Sequence, residues 1–551
     1  MRMQPMTALL WVGVASLVAC AVVNAQRDEP RSVAERSGFT ETSRFADVRA
    51  FIDDLAAGTS TVHVETFGTS EEGRALPLVV IGDPPGRPDP STSLGTGQTR
   101  LPVVLVMANI HAGEVEGKEA TLHLMRRLTR GDLQPLLKAA VWLFVPIYNA
   151  DGNERISLEN RTEQNGPIGG VGTRENAKGL DLNRDFMKLE SAEARALVAL
   201  MTRWDPDVVV DLHTTNGSYH GYHLTYAPAL NPNADVRIIE FTREKLLSSV
   251  RQTMASRHDF RLYDYGNFAH VDSLGEELEG FATDDARRKA WRTFDGRPRF
   301  GNNYVGLRNR IAVLSEAYSY LDFERRIKVT EAFVEEIMRF VSANAAEIRS
   351  LTGRTDSDWS RTRAPREAGV AFELRPLPRP VDVLVGAVGT TPNPRSGKPM
   401  TTMVESVAVP TKMTVYDHFV PMVSRRVPRE YVVRSSSSAL LESVTRVLAA
   451  HGIRVERLSA PARRSVDQFV IDRVTHAERA FQGHHETTVT GRFERKDVEV
   501  PPGSLVIRTD QRLGRLVFYL LEPESNDGLG TWNVFDGELG SGTVHPVLKV
   551  Q

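Results

Sequence analysis

The chain is nearly without cysteine: among its 551 residues only Cys20 carries a thiol, and it falls in the first apolar stretch. That excludes a disulfide scaffold, a cysteine-ligated metal cluster and a cysteine nucleophile in the folded body. Charge of one sign is lacking too. With 68 basic against 70 acidic residues the net charge is −2, and no basic block or acidic tail points to nucleic acid or to a basic partner. Past residue 30 there is no continuous apolar run of the roughly 18 residues that a membrane-spanning helix needs, so the mature chain is not expected to have a transmembrane span. What the sequence does have is apolar content. At this length, 41% hydrophobic residues can fill the cores of roughly two to four domains.

The N-terminus runs from a basic start at Arg2 into an apolar stretch, the pattern of a secretory signal. Two processing sites compete. Val23-Asn24-Ala25 before Gln26 fits an ordinary signal peptidase and gives a signal peptide over residues 1–25. Leu17-Val18-Ala19-Cys20 resembles a bacterial lipobox, which would end the leader at residue 19 and place a lipid anchor on Cys20. The apolar run continues through residues 21–23, which favours the first. Either way the chain is expected to be exported, as a periplasmic or secreted protein or, with the lipid, anchored to the cell envelope.

The chemistry-bearing residues stand at the ends of apolar, strand-like runs. Residues 103–110 lead into His111-Ala112-Gly113-Glu114, and residues 208–210 lead into Asp211-Leu212-His213. Two imidazoles and a carboxylate suit zinc in a catalytic site, where three protein ligands leave one position for water or substrate. Ligands beyond the carboxyl ends of strands are the usual arrangement in α/β folds. The spacing of His111 and Glu114 alone is common by chance; the company it keeps is not. Between the two segments lies Arg174-Glu175-Asn176-Ala177-Lys178-Gly179-Leu180-Asp181-Leu182-Asn183-Arg184, and beyond them another apolar run ends at Glu316. In order these supply a cation, an Asn-Arg pair suited to a carboxylate, and an acid. Those are the parts of a peptidase that recognises a free C-terminus.

With these motifs in this order, residues 37–350 resemble the zinc carboxypeptidase family typified by carboxypeptidase A, and in particular its bacterial exported branch. The resemblance implies an α/β fold, a mixed sheet sandwiched by helices, holding one zinc ion on His111, Glu114 and His213. It implies that Asn183 and Arg184 grip the carboxylate of a peptide substrate with a free C-terminus, that Glu316 is the general base and that Asp181 orients His111. It also implies an arginine that stabilises the oxyanion, for which Arg174 is preferred over Arg161. Where the family has a tyrosine that covers the substrate, this chain has Phe294; Tyr304 is the nearest tyrosine to that position. The stretch 281–304, to which the specificity pocket maps, matches the family poorly, so the preferred terminal residue stays open.

Patterning predicts an amphipathic helix over 38–58, strands over 62–67, 77–81 and 140–145, a helix over 116–130 and a closing helix over 333–348. The catalytic domain is expected over 37–353 and a linker, rich in Arg, Pro, Ser and Asp, over 354–380. Residues 381–551 read as a β-rich accessory domain, with strands over 381–388, 404–409, 468–471, 505–508 and 516–521 and a helix over 438–451. His220 and His223 read as part of a cleft wall or a surface loop, and the His484-His485 pair as structural. The leading function is an exported zinc metallocarboxypeptidase. The same residues would also serve a cell-wall peptide amidase or an amino-acid deacylase. A third possibility, from another class, is an inactive envelope-associated binding protein, which the retained ligands, acid and Asn-Arg pair disfavour.

Overall fold

The computed structural model describes residues 29–57, 59–83, 101–269, 290–361 and 366–551. The processing sites and Cys20 lie outside the described residues, as does the first part of the stretch 281–304. Among the described residues no helix is long and apolar enough to cross a membrane.

The strands of the first half are β1 (Val62–Thr69), β2 (Ala75–Ile81), β3 (Val103–Ala108), β4 (Val141–Val145) and β5 (Val208–Thr215), followed by β6 (Leu224–Ala227), β7 (Leu262–Asp264), β8 (Asn267–Ala269), β9 (Ala290–Arg292) and β10 (Ile311–Tyr318). Eight of them form one mixed sheet in the order β1-β2-β4-β3-β5-β10-β6-β7. Its centre is parallel: β3 pairs with β4 and β5, and β10 with β5. Every residue of β3 and of β5 is buried, as expected for central parallel strands covered on both faces. One face packs against the helices Phe45–Ala56, Glu116–Arg130 and Phe323–Ala343. The other face packs against Ala192–Trp204 and Gly301–Leu307.

Several elements differ from the sequence reading, each for an identifiable reason. The first long helix starts at Phe45, not residue 38, because residues 37–44 turn and Asp47 accepts a hydrogen bond from the Arg44 backbone N–H. The closing helix begins at Phe323, where the Asp322 side chain accepts from the Arg325 N–H; its first turns hide their apolar face among charged residues. The linker expected over 354–380 is instead the end of the helix Ala345–Arg361 and the strand β11 (Glu367–Pro376). That helix is amphipathic, with Ile348, Leu351, Thr355 and Trp359 buried at helical spacing. The run 516–521 lies in a helix, Gly514–Leu521, with Leu516 through Leu521 buried. A continuous apolar run carries no period to tell a buried strand from a buried helix.

The C-terminal half adds β12 (Val381–Pro392), β13 (Pro399–Arg426), β14 (Glu430–Val433), β15 (Glu456–Arg457), β16 (Ala462–His476), β17 (Thr487–Val500), β18 (Leu505–Arg508) and β19 (Val544–Val550). β14 to β19 form a six-stranded sheet in the order β15-β18-β14-β19-β16-β17. β11, β13, β9 and β8 form another sheet, in which β13 runs parallel to β9 from the first half. The two halves also share a core: Leu441, Val444, Leu448 and Leu516 to Leu521 join the same cluster as Leu78, Leu105, Leu143 and Val209 of the main sheet. The C-terminal half therefore packs directly on the first half through a shared core.

Three buried histidines give this architecture an acid sensitivity. Burial pushes His220, His451 and His545 each down to about 3. His451 joins the two halves, with Nε2 3.1 Å from the Met187 carbonyl and Nδ1 2.8 Å from the Tyr304 hydroxyl. In the unfolded chain each imidazole takes a proton below about pH 6.5. The folded chain does not follow until about pH 3. Stability from these groups is thus fully present above pH ~6.5 and falls as pH drops below it, by up to ~1.4 kcal/mol per pH unit for each histidine. Urea titrations of the parent and of His545→Asn at pH 7.5 and 5.0 test this. The parent is expected to lose more stability than the variant, and equal losses would contradict it.

Candidate active site

Three adjacent strands of the parallel core deliver the site. β3 ends at Ala108, and Asn109, at a left-handed φ of 65°, turns the chain so that His111 and Glu114 lie just beyond the strand. In the parallel register of β10 with β5, Glu316 stands opposite His213. The site thus sits at the carboxyl ends of neighbouring parallel strands, the end at which open α/β sheets place their ligands.

His111, Glu114 and His213 are buried, and one donor atom from each lies within 4.8 Å of the others. His111 Nδ1 is 2.9 Å from Glu114 Oε1 and His213 Nδ1 is 3.0 Å from Glu114 Oε2, so both imidazoles present the same nitrogen to the carboxylate. The opposite nitrogens are each held by an acid. Asp181 Oδ1 is 3.1 Å from His111 Nε2. Asp211 Oδ2 is 2.8 Å from His213 Nε2, a close ion pair that lacks the alignment of a good hydrogen bond. Carboxylates in this place fix the tautomer of a metal-binding imidazole and raise its basicity.

The electrostatics call for a cation. Burial alone would raise Glu114, but His111 and Arg161 outweigh it and hold the carboxyl well below its usual range. Burial alone would lower His213, but Asp211 and Glu114 carry it well above the ordinary imidazole value. Burial pushes Glu316 up to about 8; His213 opposes the rise, and Glu114 and Asp211 add to it. Part of the Glu316 surface still opens to the cleft. Four acids thus converge on two imidazoles. Two nitrogens and a carboxylate with an acid behind each ring are the donor set zinc takes, so the residues fit that ion.

A cavity of about 870 Å³ opens over the cluster, lined by His111, Glu114, His213 and Glu316 together with Arg161, Arg174, Asn183 and Arg184. Asn183 and Arg184 occupy a short helical turn, Leu182–Arg184, capped by the Asp181 side chain, which accepts from the Asn183 N–H. Asn183 Oδ1 accepts from the Gly301 N–H at 2.9 Å, and the Arg184 guanidinium lies 3.8 Å over the Phe300 ring. Arg161 donates to Glu114 Oε1 at 2.6 Å. It passes directly over Gly113, where a Cβ would come within 2.6 Å of Arg161 Nε. Arg174 donates to Asp181 from Nε at 3.0 Å and stands 4.0 Å from Glu114. Both arginines therefore reach the cleft, Arg161 at closer range to the ligand cluster.

Phe294 lines the cavity, its ring 5.5 Å from both Tyr265 and Phe300. The hydroxyl on that wall comes from Tyr265, which lies between β7 and β8 in no recognisable motif. Tyr304 is fully buried and its hydroxyl serves His451. His220 and His223 are not in a surface loop or the cleft wall: both are buried, His220 with its ring 4.0 Å from that of Tyr318 and His223 with Nε2 2.9 Å from Glu405. Arg308 and Arg310 do not pair with Glu316; Arg310 bridges Asp205 and Asp356. Asp211 was legible as a partner of His213, because residues two apart on a strand share a face.

Residues 48–299 match the zinc carboxypeptidase family profile. The chain is 21% identical over 530 residues to carboxypeptidase 2 of Trichophyton rubrum, covering 93% of this chain and 88% of that protein. It is 28% identical over 145 residues to carboxypeptidase M of Mus musculus, covering 25% of this chain and 29% of that one. Among solved structures, a metallo-carboxypeptidase from Burkholderia cenocepacia aligns at 16% identity with a TM-score of 0.39, over 55% of this chain and 70% of that chain. The matched segment, which contains the histidine-glutamate-histidine cluster, is a zinc carboxypeptidase domain, from a family of peptide-bond hydrolases.

Proposed function

We propose that this chain is an exported metallocarboxypeptidase that holds one zinc ion on His111, Glu114 and His213 and removes C-terminal residues from peptides. The observation that carries the reading is the placement, in one cavity, of Glu316 beside His213 and of the Asn183-Arg184 pair facing the same space. The leader-like residues 1–25 support export. When bound, zinc would polarise the scissile carbonyl and bring a water's pKa near neutrality.

The chain's own residues do the rest. Arg184, backed by the face of Phe300, offers a planar fork that donates two parallel hydrogen bonds to a carboxylate, and Asn183 lies next to it. Together they select the end of a peptide over its middle. Glu316 takes the proton of the attacking water and hands it to the leaving amine. Arg174, with Arg161 beside it, faces the negative charge that develops on the former carbonyl oxygen; one such fixed donor is typically worth about 10²- to 10³-fold in rate. Asp181 and Asp211 keep the two imidazoles in register and move no proton.

Dialysis of the purified chain against a chelator is the test. Hydrolysis of a peptide with a free C-terminus is expected to fall to background and to return on addition of zinc. Full activity in protein shown by elemental analysis to be metal-free would overturn the reading.

A further inference from the structure

The C-terminal half touches the site at two points. β16 and β17 pair along their length and close through the loop 477–486. At its tip Gln482 adopts φ +50° and Gly483 +82°, and the Gln482 carboxamide oxygen accepts from the backbone N–H of Asp181 at 2.8 Å. Asp181 is the residue whose carboxylate holds His111. His484, two residues on, contacts Glu190 at 2.8 Å and secures the tip beside the same segment.

The second contact is at Arg299, next to the residues that support the Asn183-Arg184 turn. Arg299 is buried, and the C-terminal half holds it: Glu486 accepts from Nη1 at 2.6 Å, and Asp527 accepts from its backbone N–H at 2.6 Å and from Nε at 2.9 Å. Its guanidinium lies 4.5 Å from the ring of Trp532 and 5.3 Å from that of Phe481. The next residue is Phe300, under Arg184, and the one after is Gly301, whose N–H holds Asn183. One hairpin loop therefore grips the backbone behind His111 through Gln482 and the support of the carboxylate-binding pair through Glu486.

We propose that Gln482 and Glu486 are positioning residues for the reaction, so that the C-terminal half completes the active site. Gln482 fixes the Asp181–His111 arm, and Glu486 fixes Arg299 and with it Phe300, Asn183 and Arg184. The proposal rests on the zinc carboxypeptidase reading of the site, and it assigns the two residues separable effects.

The test uses the full chain and the variants Gln482→Ala, Glu486→Gln and His485→Ala. Zinc affinity is measured by competition with a chromogenic chelator, and kcat and KM on a peptide with a free C-terminus. Partners that directly support a metal ligand are worth about 10- to 100-fold in affinity. Gln482 acts one bond further out, and Gln482→Ala is expected to weaken zinc binding by roughly threefold to tenfold with KM unchanged. Glu486→Gln is expected to raise KM by roughly fivefold, the loss of one charge-assisted contact, with zinc affinity unchanged. His485→Ala, in the same loop with its ring bonded to the Ala477 carbonyl, is expected to match the parent in both. Parental values in both test variants would overturn the proposal. So would equal losses of zinc affinity and KM accompanied by a lowered Tm, which would mark general destabilisation. The zinc measurement needs no substrate, so it judges the hairpin even if no peptide is cleaved and the carboxypeptidase reading falls.

Discussion

Glu316→Gln is expected to lower kcat on a free-ended peptide by about 10²- to 10⁴-fold, the range that a positioned general base contributes. The substitution keeps shape and a hydrogen-bonding oxygen while removing the group that accepts the proton. Zinc content is expected to stay at the parental level, because Glu316 is not among the three residues whose donor atoms converge. Stability is expected not to fall and to rise slightly at neutral pH. Burial and the neighbouring Glu114 and Asp211 push the Glu316 carboxyl up to about 8, so its charged form is disfavoured in the fold above the ordinary carboxylate value and a neutral amide removes that cost. A gain in Tm together with a large loss of kcat is the signature of a residue kept for chemistry at the expense of stability. A variant with near-parental kcat would remove Glu316 from the mechanism.

Arg184→Ala is the second large effect. Removing one partner of a desolvated charge pair costs about 2–5 kcal/mol, which corresponds to roughly 30- to 4,000-fold in kcat/KM at ~1.4 kcal/mol per tenfold. The loss is expected for peptides with a free C-terminal carboxylate. Slow cleavage of the amidated counterpart, which cannot form the pair, is expected to change little, so the preference for free ends collapses. Arg184→Lys is expected to recover part of the loss, because an ammonium keeps the charge but not the two-pronged geometry. An equal fall for acid and amide would show that Arg184 shapes the cleft without reading the carboxylate.

The parts of the site legible in the sequence are those that end uninterrupted apolar strands. His111, His213 and Glu316 each stand at the end of a short apolar run, rich in β-branched residues and so of strand type, and the parallel register then brings His213 and Glu316 side by side. The C-terminal half was harder to read, for physical reasons. The Arg- and Pro-rich composition after residue 354 masked a helix whose buried face is only one residue in three or four. The run 516–521 is apolar all round because it packs between the halves, which erases the periodicity that distinguishes helix from strand. The pairing of β13 with β9 and the reach of Gln482 to Asp181 join residues more than a hundred positions apart and leave no local pattern at all. His220 and His223, read as part of a cleft wall or a surface loop, flank Gly221. That glycine permits close approach of Ala408 and Leu384, whose atoms stand about 3 Å from where its Cβ would be, and this packing buries both rings.

The central claim is that Arg184, Asn183 and Glu316 act together on the free end of a peptide at the zinc site. Its most direct test is product analysis by mass spectrometry after incubating the zinc-loaded full chain with matched free and amidated peptides and with muropeptides. The account predicts a ladder of products shortened one residue at a time from free C-termini, with the matched amides cut far more slowly. Intact linear peptides with cleaved muropeptides, or no cleavage of any substrate, would contradict it.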